Sequence, residues 1–231
     1  PAERARIGGW QPFSACDWPG KLAAVVFLAG CPWRCGYCHN PDLLQRRHGQ
    51  TSWPQLRTQL QARRGLLDGV VFSGGEPLSD PALPALLAEV RAMGFATGLH
   101  SGGSHPDRLQ RVLPLLDWVG LDIKTMPAQY PAITAVAGSG ERAETSLALL
   151  QASGVAYECR STLHPALHDE HTLTQLAAWL AQRGVRRYAW QLLRPGPQLP
   201  QPFATIAANW PAPALQAAVA SHFAHFEVRT G

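Results

Sequence analysis

The chain has 231 residues, of which 46% are hydrophobic and 16% are charged, and its formal net charge is +4. Apolar runs recur throughout and can supply a core, which excludes a disordered protein, but none approaches the roughly 18 apolar residues of a membrane span. The basic residues are scattered and form no stripe, so we expect a cytoplasmic protein with neither nucleic acid nor a membrane as partner.

The elements predicted along the chain alternate between strands and helices. The predicted strands are 23–28, 69–72, 96–100, 118–123, 156–163, 187–192 and 226–229, and the predicted helices are 53–64, 80–93, 106–116, 141–152, 173–182 and 212–225. Six β-then-α units predict a parallel sheet with helices outside it. Six units are too few for a closed eight-fold barrel, so we predict an α/β fold with an open, partial (β/α)6 TIM-like barrel. A flat doubly wound sheet is the alternative.

The predicted pattern indicates one domain over residues 1–231. Its core lies at about 14–192, and a C-terminal helix and strand follow at about 203–231. The Pro-rich segment at 195–202 is a candidate lid or partner contact, although a segment of this kind is more often a long connection.

Three of the five cysteines lie within eight residues, directly after the first predicted strand. Parallel α/β folds place their chemistry at this carboxyl end of the strands. Cys31, Cys35 and Cys38 have the spacing Cys-x3-Cys-x2-Cys, a compact triplet that favours an iron–sulfur cluster with one iron free of protein ligands. Structural zinc with His39 as fourth ligand is the alternative, although zinc spacings usually separate two cysteine pairs.

Glycines and a carboxylate follow the second predicted strand. Gly74 and Gly75 would let a ligand approach the backbone closely, and Glu76 offers a carboxylate to a cation. Without the cysteine triplet this run would equally indicate a tight turn.

Charged residues also lie on later predicted strands. Asp122 and Lys124 end the fourth strand and point to the same side of it, and Arg160 lies on the fifth. An Asp–Lys pair is by itself as compatible with a plain salt bridge as with ligand binding. His164 and Gln191 are weaker candidates of the same kind.

The cysteine run, with Tyr37 at an aromatic position before Cys38, resembles the signature of the radical S-adenosylmethionine (SAM) superfamily. The resemblance implies that Cys31, Cys35 and Cys38 hold a [4Fe–4S] cluster whose free iron chelates SAM, and that these three are also the catalytic residues. It implies that Tyr37 packs near the adenine, that the Gly-Gly-Glu run contacts the SAM amino group, and that Lys124 meets the SAM carboxylate. The SAM contacts implied in this way are Tyr37, Gly74, Gly75, Glu76, Asp122, Lys124 and Arg160.

Residues 17–22 and 38–43 flank this run in a layout that resembles the longer activating proteins of anaerobic ribonucleoside-triphosphate reductases, which are glycyl radical enzyme activases. The likeness covers about 14–192. It implies that an electron from a flavodoxin or ferredoxin splits SAM to methionine and a 5′-deoxyadenosyl radical. That radical then takes a hydrogen atom from a glycine of the partner enzyme, expected to be the large subunit of the reductase.

Two features limit the resemblance. Pyruvate formate-lyase activases carry an aspartate after the third strand, where this chain has His100 and Ser101, so no cation site like theirs is expected. Cys16 and Cys159 stand alone and receive no role, so a single cluster is expected.

Two alternative functions remain open. One is a radical SAM enzyme that acts on a small molecule or RNA, and the other is a non-catalytic zinc-stabilised binding module.

Overall fold

The computed structural model describes residues 2–47, 49, 51–194, 199, 203, 206–207 and 209–230, so most of the candidate lid at 195–202 lies outside the described residues. The strands are β1 (Ile7–Ser14), β2 (Ala23–Leu28), β3 (Gly69–Gly74), β4 (Ala96–Ser101), β5 (Trp118–Asp122), β6 (Ala156–Leu163), β7 (Arg187–Leu192) and β8 (His225–Arg229). The α-helices are α1 (Trp53–Gln61), α2 (Leu83–Ala92), α3 (Pro106–Val112), α4 (Tyr130–Thr134), α5 (Ser139–Ser153), α6 (Glu170–Gln182) and α7 (Pro213–Ala220).

All eight strands lie in one sheet in chain order, and among these described strands β8 does not pair back to β1, so the sheet is open. Strands β2 to β8 run parallel, and β1 pairs antiparallel with β2. The six predicted β-then-α units run from β2–α1 to β7–α7, and the predicted open α/β fold is confirmed. The sequence did not predict β1, because Gly8, Gly9 and Pro12 interrupt any strand pattern there.

The two faces of the sheet bury different layers, because successive side chains of a strand point to opposite sides. Val26, Phe72 and Leu121 belong to the outer face and join the main core beneath the helices. Val25 and Val71 belong to the inner face and join a separate core. Burial on both faces explains why these strands appear in the sequence as continuous apolar runs.

The inner core is closed at the amino ends of the strands by an aromatic pair. Trp18, from the loop before β2, stacks on Trp118 of β5 with ring centroids 5.5 Å apart and an interplanar angle of 18°. Ala23, Val25 and Val71 complete this core. An open cavity of about 650 Å3 adjoins the pair at this end, remote from the cysteines.

Some predicted boundaries were wrong. The helix predicted to begin at Asp80 begins at Leu83, since the Asp80 carboxylate accepts from the Ala82 N–H at 2.8 Å and from the Arg6 N–H at 2.9 Å. That carboxylate therefore ties a turn to the N-terminal segment and does not cap a long helix. The short helix α4 was not predicted, and α7 ends earlier than predicted, at Ala220. None of the helices in the described ranges is long and apolar enough to cross a bilayer.

Candidate active site

The cysteine loop leaves the carboxyl end of β2 and is held by backbone hydrogen bonds on two sides. The Gly30 N–H donates to the Leu43 carbonyl at 2.7 Å, and the Cys31 N–H donates to the Leu44 carbonyl at 3.1 Å. From β3, the Glu76 N–H donates to the Gly30 carbonyl at 2.8 Å. The position of the loop is therefore set by backbone groups of the neighbouring segments.

The rest of the loop folds onto itself so that its three thiols share one cleft. The Cys38 N–H donates to the Cys35 carbonyl at 3.1 Å, which closes a turn. The Arg34 guanidinium donates to the carbonyls of Cys31 at 2.7 Å and Trp33 at 2.8 Å. All three cysteines line a cleft of about 160 Å3.

Two of these thiols, those of Cys31 and Cys38, have raised pKa values. Burial, reinforced by the nearby Glu76 carboxylate, raises the pKa of Cys31 to about 12, and burial also raises the pKa of Cys38. Metal binding must therefore displace protons from this loop, as thiolate coordination generally does.

His39, the fourth ligand of the alternative zinc site, lines the same cleft. Within the described ranges, however, no group of three or more His, Cys, Asp and Glu side chains is arranged to hold a metal ion. Thiolates that hold a [4Fe–4S] cluster bind different irons, so they need not converge on one point. Soft thiolate donors in a compact triplet thus fit a cluster.

The two glycines at the end of β3 let this strand approach the cysteine loop. Gly74 has φ +127°, and a Cβ there would lie 2.2 Å from the Leu28 carbonyl oxygen. A Cβ on Gly75 would lie 2.6 Å from the Leu43 carbonyl oxygen and 2.8 Å from that of Gly30. Both glycines also line the cleft, so close backbone packing and ligand access depend on the same residues.

Glu76 is only 3% exposed and is held by three donors. Its Oε1 accepts from Ser101 Oγ at 2.8 Å and from the Leu78 N–H at 3.1 Å, and its Oε2 accepts from the Gly102 N–H at 3.0 Å. Burial raises the pKa of Glu76, although these donors oppose the rise. The carboxylate therefore lines the cleft in a fixed orientation.

Asp122 and Arg160 form an ion pair between β5 and β6. Arg160 Nε and Nη2 both donate to Asp122 Oδ1, at 3.0 and 2.8 Å. Burial would raise the pKa of Asp122, but the guanidinium charge outweighs it and holds that pKa below its ordinary value. Gly120 makes room for the pair, since a Cβ there would lie 2.8 Å from Arg160 Cζ.

Of this pair, only Asp122 lines the cleft; the sequence predicted that Arg160 would also contact SAM. Arg160 is 5% exposed and is not among the described residues that line the cleft, although it is bonded to Asp122, which does line it. Thr162, two residues further along the same face of β6, does line it and was missed. The period of two along a strand could have identified Thr162 from Arg160.

Lys124 extends its ammonium toward the aromatic residue of the cysteine motif. Its Nζ lies 3.4 Å from Tyr37 Oη and 5.5 Å from the centroid of that ring. Burial would lower the pKa of Lys124, but Tyr37 and Cys35 hold that pKa well above its ordinary value. The side chain is therefore a cation facing the cysteine loop.

Two buried side chains hold the backbone of Lys124 beyond the end of β5. The Lys124 N–H donates to Tyr130 Oη at 2.9 Å, and His168 Nε2 donates to the Lys124 carbonyl at 2.7 Å. Sequence reasoning missed both, because no local pattern links 130 or 168 to 124.

The remaining cysteines and His100 lie away from the cleft. Cys16 is exposed in the loop before β2, and Cys159 is fully buried on the outer face of β6. His100 Nε2 lies 2.7 Å from the Asp17 carbonyl oxygen, and the His100 ring packs edge-on against Trp118. His100 therefore links the inner core to the loop before β2.

Comparison with known proteins gives a family match and several relatives of differing function, among them PqqA peptide cyclases such as that of Xanthomonas axonopodis pv. citri, 30% identical over 191 residues, covering 75% of this chain and 50% of the relative. Residues 25–177 match the family described as the radical SAM superfamily. The chain is 29% identical over 182 residues to a putative glycyl-radical enzyme activating enzyme of Methanocaldococcus jannaschii, covering 75% of each. It is 33% identical over 172 residues to the pyruvate formate-lyase-activating enzyme of Clostridium pasteurianum, covering 71% of each.

Among solved structures, SuiB of Streptococcus suis bound to the precursor peptide SuiA superposes with a TM-score of 0.64 at 14% identity. The match covers 89% of this chain and 48% of SuiB, so the chain spans about half the length of that relative. At this identity the likeness concerns the fold, which is the open barrel described above.

Proposed function

The chain belongs to the radical SAM superfamily, whose enzymes use a [4Fe–4S] cluster and SAM, and we propose that it is a glycyl radical enzyme activase. We further propose that its partner is an anaerobic ribonucleoside-triphosphate reductase and that a flavodoxin or ferredoxin supplies the electron. The activase function is supported by the two relatives that bear activating-enzyme names. The choice of partner is supported by the sequence layout around the cysteines.

The proposal rests on one observation: three thiols, a carboxylate and an ammonium group line the same cleft. Cys31, Cys35 and Cys38 lie beside the Glu76 carboxylate and the Lys124 ammonium. The methionine end of SAM bears one carboxylate and one amino group. Lys124 would pair with the carboxylate, and the amino group would donate to Glu76, as charge complementarity favours.

When bound, the cluster and SAM supply one-electron cleavage of SAM and removal of a hydrogen atom from a glycine Cα of the partner. The chain's own residues bind and orient. Asp122, whose Oδ1 is held by Arg160, lines the cleft, while Tyr37 and Trp33 cover the loop with buried aromatic surface that excludes water.

The test is an anaerobic assay after iron and sulfide reconstitution. The protein, SAM and dithionite are mixed with the reductase large subunit; 5′-deoxyadenosine is quantified by chromatography and the glycyl radical by EPR. We expect both products with the wild type and neither with Cys35→Ser. 5′-Deoxyadenosine without a radical on the reductase would contradict the proposed partner. A bound zinc ion, with no iron chromophore and no SAM cleavage, would contradict the whole proposal.

Should the reductase remain unmodified, the same assay with pyruvate formate-lyase separates two outcomes. A radical there would keep the activase function and replace the partner. SAM cleavage that produces no protein radical on either enzyme would instead favour the alternative, an enzyme acting on a small molecule or RNA.

A further inference from the structure

Trp33 carries a buried hydrogen-bond donor that has no acceptor. It lies between Cys31 and Cys35 in the sequence and is only 2% exposed. Its indole Nε1 is buried and has no hydrogen-bond partner among the described residues. An indole nitrogen can only donate, and buried donors almost always find an acceptor, because leaving one unpaired costs about 1–3 kcal/mol. An acceptor that arrives with the cofactor would remove this cost.

The surroundings of Trp33 hold the indole in one orientation. A Cβ on Gly102 would lie 2.4 Å from Trp33 Cζ3, so the six-membered ring is pressed against that glycine. Tyr130 meets the indole edge-on with centroids 6.0 Å apart, and Lys124 Nζ lies 5.6 Å from the ring centroid. Since Cζ3 and Nε1 are on opposite edges of an indole, the N–H edge faces away from Gly102.

The sulfurs of the cysteine loop are the candidate acceptors for this donor. Cys31 and Cys35 pack against the small cluster formed by Trp33, Tyr130 and Ala143. A cysteine sulfur bound to iron is a thiolate, so it carries negative charge and accepts hydrogen bonds more strongly than a thiol does.

We propose that the indole N–H of Trp33 donates a hydrogen bond to the iron-bound thiolate of Cys31 or Cys35 and thereby raises the reduction potential of the cluster. Reduction adds negative charge to the cluster, so a donor to its sulfur stabilises the reduced state more than the oxidised one. Trp33 thus makes the cluster easier to reduce. This inference depends on the family's cluster and not on the identity of the partner enzyme.

The first experiment is an EPR-monitored redox titration of the reconstituted protein without SAM, comparing wild type with Trp33→Phe. We expect the ratio of reduced to oxidised cluster at a fixed potential to fall about tenfold in the variant, a shift of about 59 mV to more negative potential. The matched control is Trp53→Phe, which deletes an indole N–H that donates to Glu89 at 2.7 Å in the helical layer. An unchanged potential in Trp33→Phe at full iron content would overturn the proposal.

A second measurement needs no variant, which matters if Trp33→Phe loses its iron. The wild type is labelled with indole-15N tryptophan, reduced, and examined by pulsed EPR. We expect a 15N coupling to the cluster before SAM is added, since Trp33 is the one tryptophan among the described residues lining the cleft. No coupling, or a coupling that appears only with SAM, would overturn the assignment. A failure to activate the reductase would leave both readouts intact and would count only against the proposed partner.

Discussion

The inner face of the barrel differs sharply between its two ends. At the amino ends of the strands it is apolar, with Trp18 stacked on Trp118, whereas at the carboxyl ends it carries the Asp122–Arg160 ion pair. Strand β5 alone shows the whole change, since its inward positions are Trp118, then Gly120, then Asp122. Along one strand, therefore, residues that stabilise the fold give way within five positions to residues that line the cleft.

This difference predicts which substitutions affect stability and which affect chemistry. A substitution at the amino ends of the strands removes buried apolar area, which lowers stability, but should leave the cleft at the carboxyl ends unchanged. At the carboxyl end a lost side chain leaves a charge or a cofactor ligand without its partner, even where little apolar area changes. Substitutions at each end test whether the separation holds.

The largest expected effect is at the cysteine loop. Cys35→Ser removes a thiolate from the cleft, and we expect loss of cluster iron and a fall in SAM cleavage of at least about 1000-fold, beyond the roughly 10–100-fold typical of losing a group that only supports a metal ligand. Cys16→Ser and Cys159→Ser are the matched controls, since both thiols lie outside the cleft. Iron content and 5′-deoxyadenosine formation are measured. Loss of iron in Cys16→Ser would show that the assignment of ligands is wrong.

The amino end is tested with Trp18→Ala. Deleting the stacked indole from a buried core should lower the free energy of unfolding by about 3–5 kcal/mol. Urea unfolding of the metal-free protein measures this loss, and the cluster potential and SAM affinity of the folded, reconstituted fraction should match wild type. A tenfold weaker SAM affinity with unchanged stability would show that the two ends are not separate.

The ion pair at the carboxyl end is tested with Arg160→Met. Breaking a buried pair typically costs about 3–5 kcal/mol, but the Asp122 side chain is 33% exposed, so we expect about 2–3 kcal/mol. Arg91→Met is the control, because its pair with Asp117 has both side chains about two-fifths exposed and should contribute about 1 kcal/mol or less. Equal losses in the two variants, measured by urea unfolding, would contradict the buried role of Arg160.

His100 lies between the two ends and gives the smallest effect, a pH dependence. Burial, reinforced by the Arg160 charge, lowers the pKa of His100 to about 4. The pKa of this histidine in the unfolded chain is about 6.5. Between about pH 6.5 and the lower pKa of the folded protein, only the unfolded state binds a proton at His100. The free energy of unfolding therefore falls as pH falls through this range. His100→Gln keeps a donor for the Asp17 carbonyl and does not titrate. We therefore expect its stability to fall less than that of wild type between pH 7 and 5, by about 1–2 kcal/mol.

Urea unfolding at the two pH values measures this difference. The same pH change applied to His222→Gln, at an exposed site beyond α7, is the control and should behave as wild type. An identical loss of stability in His100→Gln and wild type would show that another group titrates in this range.

The parts of the molecule that could be predicted are those whose signal is local. Strands β2 and β3 are buried on both faces and appear in the sequence as apolar runs. The spacing of the cysteine triplet is itself a ligand pattern, so it predicts where the cleft lies. The role of Gly120 could not be predicted, because its lack of a side chain matters only through Arg160 on the next strand. Trp33 occupies a position that the motif leaves unspecified, so only its burial reveals the unpaired N–H.

The contacts between the cysteine loop and β3 bear on how the protein is assembled in the cell. The Glu76 N–H donates to the Gly30 carbonyl, and Gly75 packs against the same backbone, so the segment that follows β3 helps to shape the loop. Iron is therefore expected to be inserted after the sheet has formed. A chain synthesised when iron is scarce would wait as a folded apoprotein, ready for cluster delivery, and would not be discarded as a misfolded one.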